Sequence, residues 1–146
     1  MEFKLNGTTI NYEGDPELSL MTYLRDVEDI ISPKDGCAPE GVCGCCTVLL
    51  DGNVLKACIA PMRRIAGKEV ITMEGLDPEK KETVINAFAI EGGLQCGFCT
   101  PGIIMKVWPL LNQGFLTEKE VNKALNSNLC RCTGYKKVTK SCLSAA

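Results

Sequence analysis

Histidine is absent from the 146 residues, and that absence removes several chemistries at once. Cys₂His₂ and Cys₃His zinc sites, Rieske centres and imidazole-based acid–base catalysis all need the missing ring. An excess of one charge is lacking too: 16 lysines and arginines stand against 18 acids, for a net charge of −2. Such a balance supplies no general electrostatic reason to bind nucleic acid or an anionic membrane, so neither partner is expected. No apolar run approaches membrane-spanning length. The opening MEFKLNGTTINYEGD carries acids and polar residues where a secretory signal has a basic stretch and an apolar run. Arg63 and Arg64 lie too far along the chain to act as a twin-arginine export signal. A cytoplasmic protein is the expectation.

Cysteine, by contrast, is abundant, with ten in the chain. Structural disulfides are rare in a reducing compartment, so metal is the better account of them, and without histidine only all-cysteine sites remain.

The N-terminal half reads as a small mixed sheet with one helix. Asn6-Gly7 and Asp51-Gly52 are two-residue hairpin signals, which predict strands at Glu2 to Leu5, at Thr8 to Tyr12, and on either side of Asp51. KEVITME reads as a last strand. Asp15 followed by Pro16 predicts a helix start, with Leu18, Met21 and Leu24 at helical spacing. A glycine- and cysteine-rich loop fills Lys34 to Cys46. From Gly75 the grammar changes to polar, proline-containing GLDPEKKE and then to helical spacing alone. Helices are predicted over Val84 to Ile90, from a Thr100 cap with Pro101, from the capping box Thr117-x-x-Glu120, and from Tyr135 onward. Four short helices with short loops read as a bundle.

The cysteines fall into two sets. In CAPEGVCGCCTVLLDGNVLKAC, Cys37, Cys43, Cys46 and Cys58 approximate the plant-type C-x₄-C-x₂-C pattern with a distant fourth ligand, although the first gap is one residue too long. Gly36, Gly41 and Gly44 let backbone N–H groups approach the sulfurs. Cys43 and Cys46 keep the plant-type gap, so Cys45 is read as a small buried residue, as is Cys142. The alternative for this loop is a Cys₄ zinc knuckle, which usually shows paired C-x-x-C units.

The second set is Cys96, Cys99, Cys130 and Cys132. A C-x-x-C and a C-x-C, each at a helix entrance, allow two helix starts to supply two ligands each and to turn their positive ends toward a negatively charged cluster. Thr100-Pro101-Gly102 then provides a cap, a pre-set backbone angle and a residue small enough for close approach. Phe98 is read as a shield against water. Arg131 is either a solvated charge or a positive partner for the cluster.

Taken in order over nearly the whole chain, CGCCTVLLDG…C, QCGFCTPG and LCRCTGY closely resemble the iron–sulfur subunit of the molybdenum hydroxylases, the xanthine dehydrogenase and aldehyde oxidoreductase family. The resemblance implies an α+β protein: a ferredoxin-like β-grasp domain over residues 1–74 with one [2Fe–2S] cluster, then a four-helix bundle domain over 75–146 with another. It assigns Cys37, Cys43, Cys46 and Cys58 to an outer cluster and Cys96, Cys99, Cys130 and Cys132 to an inner one. It also implies that Gln95 and Cys132 touch the pterin of a molybdopterin cofactor held mainly by a large partner subunit. In the family, water-derived oxygen is inserted at an electron-poor carbon on that partner. Electrons then pass singly through the inner and outer clusters to FAD, often on a further subunit, or to another acceptor. On this reading the chain is a non-catalytic electron-transfer subunit of an oxidoreductase. The longer gap after Cys37, and Cys45 where the family usually has alanine, depart from its pattern. The competing classes are an autonomous two-cluster ferredoxin carrier and a zinc-stabilised interaction module.

Overall fold

A computed structural model describes all residues, 1–146, as a mixed α+β protein with a five-stranded sheet and five α-helices. The strands are β1 (Glu2–Leu5), β2 (Thr8–Asn11), β3 (Thr47–Leu50), β4 (Asn53–Lys56) and β5 (Glu69–Ile71). The helices are α1 (Leu20–Asp26), α2 (Pro78–Glu91), α3 (Thr100–Leu111), α4 (Glu118–Leu125) and α5 (Lys136–Ser144). None is long and apolar enough to cross a membrane.

The sheet order is β2-β1-β5-β3-β4, with β1 and β5 parallel and every other neighbour antiparallel. Both hairpins form where the sequence places them. Asn6 and Gly7 have φ of 50° and 83°, and Asp51 and Gly52 of 50° and 77°, the doubly left-handed geometry of a type I′ turn.

Three helix starts differ from the sequence reading. Asp15 does not cap α1: its carboxylate accepts from the Glu17 N–H at 2.8 Å, closing a turn, and the cap is Ser19, whose hydroxyl accepts from the Thr22 N–H. Asp-Pro marks turns as well as helices, and here the turn prevails. Helix α2 begins at Pro78, six positions before Val84, because Asp77 caps it and its first turns are polar and largely exposed. Such turns carry no apolar periodicity to read. Helix α3 is capped at Cys99 without a side-chain bond, so Thr100 lies inside the helix. The Thr117–Glu120 capping box forms as read, and α5 follows Tyr135.

Two apolar cores flank the sheet. Phe3, Leu5, Leu20, Leu24, Val48, Leu50 and Val70 belong to one, which lies under α1. Leu49 joins the other, with Phe88, Ile103, Ile104, Trp108, Val121 and Val138 from the helices. All four residues of β3 are therefore buried, successive side chains facing opposite cores. Strand β3 is thus pinned between the halves, and the cysteine loop feeding it is pinned with it.

Candidate iron–sulfur centres

The outer set is built on the loop between α1 and β3. An aspartate starts it: Asp35 Oδ1 accepts from the N–H groups of Cys37 at 3.2 Å and Ala38 at 2.7 Å. Ala38 (φ 57°) and Gly41 (φ 69°) then turn the chain through left-handed conformations, which costs a non-glycine residue free energy unless its surroundings fix it. The loop returns its amides to its own sulfurs, Val42 N–H to Cys37 Sγ at 3.4 Å and Cys45 N–H to Cys43 Sγ at 3.5 Å. Cys46 leads into β3, and its carbonyl accepts from the Ala57 N–H at 3.2 Å, which brings the turn carrying Cys58 alongside.

The thiols perturb one another accordingly. Backbone N–H groups of Cys43 and Val42 pull the Cys37 thiol down to about 7. Burial pushes Cys58 up to about 12, reinforced by Cys46 and, more weakly, by Cys37.

Cys96, Cys99, Cys130 and Cys132 line one cavity of ≈ 180 Å³, together with Phe98 and Arg131. Cys99 sits at the start of α3, where burial and then the neighbouring Cys130 push its thiol up to about 12. Burial also opposes ionisation of Cys130, but hydrogen bonds from the Thr133 side chain and backbone outweigh it and hold the thiol below its ordinary value. Thr133 Oγ1 lies 3.1 Å from Cys130 Sγ. The Phe98 N–H, first among several bonds, pulls Cys96 down, whereas the bond to Cys96 pushes Cys132 up. The Tyr135 hydroxyl clamps the second pair by donating to the Asn128 carbonyl at 2.8 Å and accepting from the Cys130 N–H at 2.9 Å.

The two sets lie back to back. Gly36, Cys43 and Cys45 line the same cavity as the second set. Leu129 N–H donates to the Cys43 carbonyl at 2.8 Å, and Asn128 Nδ2 donates to the Gly44 carbonyl at 3.1 Å. Cys45 is buried in this seam, its thiol pushed up to about 12 by desolvation, then by Cys43, with Cys99 also contributing. Cys142 is fully buried among the helices and does not line the cavity of the second set. Gln95 and Cys132 are exposed, as is Phe98 (43%), which has the Lys34 ammonium 5.8 Å from its ring centre.

The donors present fit an all-thiolate iron–sulfur core. Each set offers four sulfurs, amide N–H groups point at several of them, and a Cβ on Gly36 would stand only 3.0 Å from Cys43 Sγ. No three His, Cys, Asp or Glu side chains are gathered tightly enough for a single ion; a binuclear core spreads its thiolates over two irons.

Sequence reasoning misses the residues that hold these loops. Asp35 before Gly36 is readable as a turn starter. Lys56 and Asn128 give no local signal, because their carbonyl partners lie 15 and 84 positions away.

A family model described as "[2Fe-2S] binding domain" matches residues 72–143. The chain is 38% identical over 147 residues to the xanthine dehydrogenase iron-sulfur-binding subunit of Escherichia coli O157:H7, covering 98% of this chain and 91% of that one. It is 42% identical over 151 residues to xanthine dehydrogenase of Emericella nidulans, covering 94% of this chain but only 11% of that much longer protein. Among solved structures, quinoline 2-oxidoreductase from Pseudomonas putida 86 superposes with a TM-score of 0.90 at 31% identity, over 99% of this chain and 91% of that one. The chain thus matches an iron–sulfur subunit over nearly its whole length and a much longer protein over a small part of its length. The chain belongs to the small [2Fe–2S] iron–sulfur subunits of the molybdenum hydroxylase, or xanthine dehydrogenase and aldehyde oxidoreductase, family.

Proposed function

We propose that this chain is the cytoplasmic, non-catalytic electron-transfer subunit of a molybdenum-containing hydroxylase. In this reading residues 1–74 form a ferredoxin-like β-grasp domain and residues 75–146 a four-helix domain. Cys37, Cys43, Cys46 and Cys58 hold the outer [2Fe–2S] cluster, and Cys96, Cys99, Cys130 and Cys132 the inner one. When bound, the clusters supply one-electron uptake and release, which links a large molybdopterin-binding partner to FAD, on a further subunit, or to another acceptor.

The observation that carries the reading is the seam: two four-cysteine sets meet across the Leu129-to-Cys43 hydrogen bond, with Cys45 buried between them. A wire needs its sites at fixed separation, and the Leu129–Cys43 backbone bond and the Asn128–Gly44 bond between the two cysteine-bearing segments support that role. The protein's part is positional and electrostatic. Val42 and Cys45 aim amides at outer-set sulfurs, Thr133 does the same for Cys130, and Phe98 covers part of the inner set. The exposure of Gln95 and Cys132 supports their contact with the pterin on the large subunit, since a group held by another chain can reach only what this one leaves open.

Purification from the native source tests the proposal. A tagged chain is expected to co-elute with a large molybdenum-containing chain, and the assembly to oxidise a substrate such as xanthine or an aldehyde. A lone brown protein would contradict the subunit role in favour of a diffusing carrier. A colourless zinc protein would contradict the clusters themselves.

A further inference from the structure

The outer loop has one residue more than the plant-type gap between its first two cysteines, and something must hold the longer path. Within the stretch between Cys37 and Cys43, one side chain from outside the loop donates to the backbone. Lys56, the last residue of β4, reaches across and donates from Nζ to the Gly41 carbonyl at 2.6 Å. Gly41 is, with Ala38, one of two left-handed residues of the lengthened stretch, and its Cα face packs on Ile59, so that an added Cβ would come within 2.9 Å of the Ile59 side chain. Lys56 itself is fixed, because it pairs with Thr47 in the β3–β4 register and lies two positions before Cys58. The bond therefore ties the loop segment between Cys37 and Cys43 to the strand pair that positions Cys46 and Cys58.

The charge of this residue is unexplained by the rest of the protein. The two ion pairs of the chain, Arg63–Glu17 and Lys140–Glu91, do not involve it, and its only bonded partner is a neutral carbonyl. Lys106 on α3 is half-buried as well, and burial first, then repulsion from Lys56, holds its ammonium below the ordinary lysine value. Half-buried cations without a carboxylate partner are unfavourable unless a negative charge is near. An all-thiolate cluster is such a charge and gains a further electron on reduction.

We propose that Lys56 is a positioning residue for the outer cluster, clamping the lengthened Cys37–Cys43 loop through the Gly41 carbonyl and placing a compensating positive charge beside it. The proposal rests on the assignment of the outer cluster to Cys37, Cys43, Cys46 and Cys58. Other lysines near the cysteines, such as Lys34 over Phe98, have no comparable bond to a ligand loop.

The test uses the intact complex carrying native chain, Lys56→Met or Lys56→Arg. Methionine keeps most of the stem and removes both donor and charge; arginine keeps both. Electron paramagnetic resonance under potentiometric control reads each reduced cluster, and a chelator time course reads its loss. In Lys56→Met the outer signal is expected to change shape and to move to lower potential. That cluster is expected to be lost on the order of ten times faster, as when a group supporting metal ligands is removed. The inner cluster should be unaffected, and Lys56→Arg should restore most of the native behaviour. An outer signal and loss rate in Lys56→Met equal to native would overturn the proposal, as would equal acceleration at both clusters, which would mark a merely structural lysine. Failure of Lys56→Arg to restore would overturn the charge-and-donor role. If native protein shows no outer cluster, the underlying assignment fails first, and that result is distinct from the others.

Discussion

Thr133 is a small residue with a large expected effect. Its hydroxyl lies 3.1 Å from Cys130 Sγ, and once that sulfur is a thiolate the hydroxyl can only donate to it. Hydrogen bonds to cluster sulfurs raise reduction potentials, because reduction adds negative charge that the donor stabilises. A bond worth about 1 kcal/mol corresponds to about 40 mV for one electron. Thr133→Val is therefore expected to lower the inner potential by about that amount, with Thr133→Ser close to native, in a potentiometric titration; an unchanged potential in the valine variant would remove Thr133 from the account. The role of this residue was not legible in LCRCTGY, where the motif drew attention to the cysteines. Those cysteines were legible because two paired spacings without histidine admit few other chemistries. Lys56 and Asn128 were not, since each acts on a carbonyl distant in sequence.

At the scale of elements, hairpins were the easiest to read and helix starts the hardest. Asn6-Gly7 and Asp51-Gly52 need left-handed backbone at both positions, a demand few dipeptides meet. The start of α2 was hidden although Asp77-Pro78 carries the same cap-and-proline signal as Asp15-Pro16, because its polar first turn leaves no apolar stripe. A polar network closes the sheet just before that helix. Glu74 accepts from the Ser32 hydroxyl and from Thr72 Oγ1, both at 2.7 Å, while the Asn6 side-chain Oδ1 accepts from the Thr72 N–H at 2.9 Å. The β1–β2 turn, the exit of β5 and the loop after α1 are thereby joined. Desolvation favours the neutral form of Glu74, but bonds from Ser32 and Thr72 outweigh it and hold its carboxyl below the ordinary carboxylate value. The carboxylate therefore contributes stability in full above the unfolded value of about 4.3 and loses it as pH falls through the lower folded value. Denaturation of native and Glu74→Gln protein across that range is expected to show a native advantage at neutral pH that shrinks as the solution becomes acid. A constant difference would contradict the network.

For the molecule as a whole, the seam between the sheet half and the helical half holds the two cysteine sets against each other. The sequence shows two grammars and suggests a boundary near Gly75; it does not show that β3 is buried on both faces or that Gly102 of α3 lies against the outer loop. A Cβ at Gly102 would stand 2.5 Å from the Gly44 carbonyl oxygen and 2.9 Å from Cys45 Cα, both backbone atoms that cannot swing aside. Helix propensity alone favours alanine there by about 1 kcal/mol, whereas overpacking of this kind costs about 1–3 kcal/mol. Gly102→Ala is thus expected to lower the melting temperature and to disturb the spectra of both clusters together; a rise in melting temperature would mean that the halves are not in register at this point. Whether eight cysteines of this chain hold two binuclear clusters is read by quantitative electron paramagnetic resonance on the reduced chain, with iron and acid-labile sulfide counted in the same sample. Two distinct signals of one spin each are expected, with about four irons and about four sulfides per chain; a single signal with half that content, or protein without labile sulfide, would contradict the assignment of eight cysteines to two clusters.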